Sequence, residues 1–162
     1  MYRVFSSSEI IKETIIMGTP EERLNSLLQG ELSAVETYDM ALEKITTPAT
    51  NKVLAECRNC HANRVEKLTQ MVTSLGATPT TESGAWGSFA KLVAAGAVVL
   101  GEGPAVGALK EGEDQGLETY RGAAKHADDA SSQFVVSDLL AAQENTQKVI
   151  SNLYENMPAK AS

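Results

Sequence analysis

A nine-residue pattern that occurs twice constrains this chain most: GELSAVETY at 30–38 returns as GEDQGLETY at 112–120, with five of nine positions identical. Both copies carry apolar residues at helical spacing, and each falls where the first helix of a helical pair is expected. A duplicated hairpin requires that arrangement. Helix starts are marked by proline near the first helical position in Thr19-Pro20, Thr47-Pro48 and Gly103-Pro104, where the missing N–H costs nothing. Thr19 and Glu22 add a capping-box spacing. These signals predict helices over about 20–45, 48–75, 104–126 and 130–156, preceded by a shorter one near 8–17.

Composition agrees with helices. The 162 residues are 43% hydrophobic but only 5% aromatic, so the core must come from Leu, Val, Ile and Ala, which suits closely packed helices better than sheets. A formal charge of −7 leaves no basic stripe to displace phosphate counterions, which argues against nucleic acid. The start, MYRVFSSSEI, has no apolar run of signal-peptide length, so a cytoplasmic address is expected. The apolar stretch from Trp86 to Leu100 is interrupted by Lys91 and glycines and is too short to span a bilayer. The division expected is an N-terminal segment 1–19, a helical domain 20–157 with a crossover at 76–103 that holds a short apolar helix, and a tail 158–162.

Core-facing positions in a packed helix alternate in steps of three and four. In the first long helix Leu24, Leu28, Glu31, Val35, Tyr38, Leu42 and Ile45 obey that rule. In the second, Leu54, Arg58, His61, Val65, Leu68, Val72 and Leu75 do so, and in the third Val106, Leu109, Glu113, Leu117, Tyr120 and Ala124. The fourth reads Val136, Leu140, Glu144, Gln147 and Tyr154, with Gln143 and Ile150 competing for the seam. Counted from the two turns, Glu31, Arg58, His61, Glu113 and Glu144 come to one level, roughly 17 to 24 Å from the loops at the usual rise per residue. Carboxylates gathered in a dry interior need cations or protons as partners.

Over about 20–157 this layout resembles the ferritin-like superfamily, particularly rubrerythrin- and bacterioferritin-type di-iron carboxylate proteins, and looks closest to bacterial ferritin-like proteins of unknown function. The resemblance implies an all-α, ferritin-like four-helix bundle of two antiparallel hairpins joined by a long crossover. It also implies a Glu followed seven residues later by Tyr in the first and third helices, matched by Glu31 with Tyr38 and Glu113 with Tyr120. A Glu-x-x-His pair is implied in the second and fourth, where Arg58-x-x-His61 and Glu144-x-x-Gln147 stand. On that reading Glu31, His61, Glu113 and Glu144 are the metal ligands that remain, Arg58 and Gln147 replace two others, and Tyr38 and Tyr120 flank the site. Since an arginine stays cationic, Arg58 would supply part of the charge a metal pair once did. A single weakly held iron or manganese ion on Glu31, His61 and Glu144 would balance the rest. Paired-iron oxidase or peroxidase chemistry is not expected of such a site. The contrasting expectation is a non-catalytic interaction or stress-related bundle locked by Arg58. Self-association into a homodimer or higher homo-oligomer is expected in either case.

Cys57-Arg58-Asn59-Cys60-His61 also spells C-x-x-C-H, the attachment signature of c-type haem. A mid-helix position and the lack of an export signal weigh against that reading and leave two small reduced thiols, Cys57 near the core and Cys60 toward a neighbouring helix. His126 is expected to serve as a favourable charge at a helix C-terminus. There is no Ser-His-Asp arrangement, phosphate-binding glycine loop or nucleotide signature in the sequence.

Overall fold

A computed structural model of the chain describes residues 6–84, 100–125 and 129–157. Among the described residues the secondary structure is entirely helical, in the order α1 (Ser7–Met17), α2 (Pro20–Lys44), α3 (Pro48–Ser74), α4 (Glu102–Ala123), α5 (Ala130–Phe134), a π-helical turn (Val135–Leu139) and α6 (Leu140–Glu155). The apolar stretch expected between Trp86 and Leu100 lies outside the described residues except at Leu100, as do His126 and the tail 158–162. No helix among the described residues is long and apolar enough to cross a membrane.

Local chemistry sets the helix ends. Ser6 and Glu9 close a capping box on α1, and Thr19 and Glu22 close one on α2, with Pro20 at the first turn. In each, the hydroxyl accepts one orphan N–H and the glutamate accepts another. α3 ends in a Schellman arrangement: Gly76 takes φ 77°, its N–H reaches Thr73 O at 2.9 Å, and Ala77 N–H reaches Val72 O at 3.2 Å. Glycine is favoured there because the left-handed conformation costs it nothing. α4 starts at Glu102 with Gly101 as its cap, so Pro104 sits in the first turn but not at its first position. The Glu102 carboxylate accepts from the N–H groups of Thr46 (3.2 Å) and Thr47 (3.1 Å) and so ties the start of α4 to the turn between α2 and α3.

α2 packs along α3, and α4 along α6; α2 also touches α4, and α3 touches α6. Two apolar clusters result. One gathers Ile11 and Ile15 of α1 with Leu24, Leu28, Leu68, Val72, Ala123, Val135 and Leu139. The other gathers Ala41, Ile45, Leu54, Val106, Leu109 and Ile150 toward the opposite helix ends. Between them lies a buried polar layer, bounded by Tyr120 of the first cluster and Tyr38 of the second.

Candidate functional site

The duplicated segment builds the frame of this layer. Glu31 and Tyr38 come from α2, Glu113 and Tyr120 from α4, and all four are at most 3% exposed. The tyrosines cross over: Tyr38 OH donates to Glu113 Oε1 and Tyr120 OH to Glu31 Oε1, each at 2.6 Å. His61 of α3 sits between the carboxylates, with Nδ1 2.7 Å from Glu31 Oε2 and Nε2 2.8 Å from Glu113 Oε1.

The remaining partners break this two-fold pattern. From α3, Arg64 is buried; its Nε donates to Glu31 Oε1 at 2.9 Å, its Nη2 to Gln143 Oε1 at 2.9 Å and its Nη1 to Cys60 Sγ at 3.2 Å. From α6, Gln143 Nε2 and Thr146 Oγ1 each donate to Glu113 Oε2 at 2.9 Å. All four carboxylate oxygens thus accept at least one hydrogen bond, as buried carboxylates require.

Burial pushes the Glu31 carboxyl up, but the charges of Arg64 and His61 outweigh it and hold the group at about 2. At Glu113 burial is likewise overcome, here by His61 first, and its carboxyl lies below the usual range. Burial works against the His61 imidazolium, yet Glu31 and Glu113 raise its affinity for a proton above the ordinary value. With His61 protonated, the charges of Glu31 and Glu113 are matched by those of Arg64 and His61. Arg64 Nη2 also lies 2.7 Å from His61 Nδ1. We assign the imidazolium, because a bare Nδ1 would set its lone pair against Glu31 Oε2 and a bare Nε2 would set one against Glu113 Oε1, whereas Arg64 Nη2 has Gln143 Oε1 as an alternative acceptor.

Of the residues singled out in the sequence, Glu31, His61, Glu113, Tyr38 and Tyr120 converge. Arg58 does not: it points outward and pairs with Asp39 at 2.8 Å, with side-chain exposures of 32% and 49%. Glu144 is exposed and pairs with Arg121 at 3.2 Å, which places it away from Glu31 and His61. Gln147 bonds Asp114 at 2.7 Å near the surface. The inward pairs are His61-x-x-Arg64 and Gln143-x-x-Thr146. Level counting carried the signal for α3: Glu31 lies sixteen residues before Thr47, and Arg64 seventeen after it, but Arg58 only eleven. In the π-helical turn that leads into α6, Val136, expected on the seam, is 53% exposed, and its neighbour Val135 is buried instead.

Cys57 and Cys60 are both free thiols. Burial, and then the Glu113 charge, push the Cys57 thiol up to about 12, where it is inert at ordinary pH. Both ring nitrogens of His61 face carboxylates, so neither is turned toward a group attached at the cysteines. A metal pair does not fit this donor set. Arg64 occupies one side of Glu31, Gln143 and Thr146 are uncharged, and among the described residues no three His, Cys, Asp or Glu side chains are placed to hold a metal ion.

Beside the layer lies a cavity of about 60 Å³ between α2 and α4, partly open to solvent. Its walls are mostly apolar, and Glu31, Tyr38, His61, Glu113, Tyr120 and Gln143 form its polar side.

Residues 19–126 match the model of a family described as "Domain of unknown function (DUF2383)". The chain belongs to this family. The DUF2383 match takes in Glu31, His61, Arg64 and Glu113 and stops before Gln143 and Thr146. The fold is similar to the crystal structure of a conserved hypothetical protein, rv2844, from Mycobacterium tuberculosis, with a TM-score of 0.67 over 88% of this chain and 95% of that one at 16% identity. No curated protein matches the sequence.

Proposed function

We propose that this DUF2383 chain is a ferritin-like four-helix bundle whose polar centre is held by an arginine and a protonated histidine in place of metal ions, and that it acts as a non-catalytic helical module. The observation that carries this reading is the charge match: Glu31 and Glu113 are buried with Arg64 and His61, and all four carboxylate oxygens are occupied. A divalent ion entering here would have to displace the Arg64 guanidinium from Glu31 and take the proton's place on His61. Both steps forfeit charge-assisted hydrogen bonds in a dry site. Single-ion binding through Glu31, His61 and Glu144 would further require Glu144 to leave Arg121 and turn inward.

The test is elemental analysis of protein purified without chelator, combined with thermal melts in EDTA and in excess iron(II), manganese(II) or zinc(II). The reading predicts well under one equivalent of metal and superimposable melts. One equivalent or more of a transition metal, or a melting temperature that falls in EDTA, contradicts it.

A further inference from the structure

We infer that the cavity between α2 and α4 is a binding site for one small, uncharged, apolar molecule of about the size of a xenon atom. The inference is independent of the function proposed above, since it rests on the shape and lining of the cavity and not on the absence of metal.

Size comes first. At about 60 Å³ the cavity is well above the minimum for one water and well below the roughly 150 Å³ cavity that admits benzene. That leaves room for a guest of one to four heavy atoms. The walls come next. Leu27, Ala34, Ala108 and Leu109 line it together with Gly30, Gly112 and Gly116. Thr37 and Thr119 turn their hydroxyls back to the carbonyls of Ser33 (2.7 Å) and Gln115 (2.9 Å), so those donors are spent on the helices themselves.

The polar side is also committed. Tyr38 and Tyr120 donate to the carboxylates, His61 places both nitrogens on them, and Gln143 Nε2 is shared between Glu113 O at 3.2 Å and Glu113 Oε2 at 2.9 Å. An anion would meet two carboxylates with no donor turned toward it from this network. A cation would upset a set of charges already matched. Solvent reaches this partly open pocket, but its exposed lining is mostly apolar, so a water there lacks the two to four polar partners that would hold it in place. An uncharged apolar guest meets none of these penalties, displaces poorly held water and gains dispersion contacts with the walls.

The probe is xenon. Crystals of the full chain pressurised with xenon should show one xenon peak in this cavity. In solution, xenon should shift the ring resonances of His61, Tyr38 and Tyr120, the aromatic groups at its polar side. Ala34→Leu and Ala108→Leu, made separately from opposite walls, should each cut xenon occupancy at least tenfold while leaving the His61 resonance that of an imidazolium. Two variants are used so that a folding failure in one leaves the other to decide. Ordered water at the site that persists under xenon, or xenon binding that neither variant reduces, would overturn the inference.

Discussion

Arg64 and Arg58 lie six residues apart on one helix, but their removal should have very different consequences. Arg64→Leu leaves Glu31 buried with its main cation gone, and breaking such a pair costs about 3–5 kcal/mol. Arg58→Ala removes a solvent-exposed pair with Asp39, which is worth roughly 0–1 kcal/mol. Urea unfolding of the two variants against the parent checks the contrast. A combined Arg64→Leu, Glu31→Gln variant should be less damaged than Arg64→Leu alone, because the unpaired charge is then absent. pH acts on the same network. The folded-state value of His61 is raised above 6.5, so its stabilising contribution is complete below about 6.5 and is lost as pH climbs through the folded value. Glu31, lowered from 4.5 to about 2, contributes fully above about 4.5 and loses that contribution as pH falls toward 2. Melting temperature against pH should therefore decline on both sides, and His61→Gln should abolish the alkaline decline while keeping the acid one.

At the scale of helices, the sequence reveals starts and levels better than phase. Thr19-Pro20 and Thr47-Pro48 mark helix starts because capping and proline chemistry are local. The repeated GE…ETY motif likewise exposes both carboxylates and both tyrosines. Arg64 is hidden because a seam can leave His61 by a step of three to Arg64 or of four to Val65, and apolar patterning favours the valine. In the last helix the π-helical turn at Val135–Leu139 adds a residue's worth of slack, and two neighbouring valines leave the sequence silent on which faces inward. Deleting the exposed Val136 should convert this turn to regular α-helix and keep Gln143 and Thr146 on Glu113. Inserting an alanine after Ala141 instead rotates them by about 100° and should destabilise the fold at least as much as Arg64→Leu. Circular dichroism melts of the two variants measure this. Glu102→Ala, which frees the N–H groups of Thr46 and Thr47, should cost about 1 kcal/mol in the same assay.

For the whole molecule, the polar layer divides one helical interior into two apolar clusters, and every long helix supplies it with at least one side chain. Burying so many polar groups adds less stability than an apolar core of equal volume would. We infer that what it contributes is register, since sliding or turning any one of α2, α3, α4 and α6 would break several of these hydrogen bonds at once. That account depends on His61 carrying a proton between Glu31 and Glu113 without help from a metal. The direct measurement is a pH titration of the His61 ring by nitrogen-15 NMR on protein stripped with EDTA. The account predicts an imidazolium at pH 7, with both ring N–H groups protonated and a midpoint above 6.5 that added manganese or zinc does not move. A neutral ring at pH 7, or a ring whose resonances change on addition of one equivalent of metal, would contradict it.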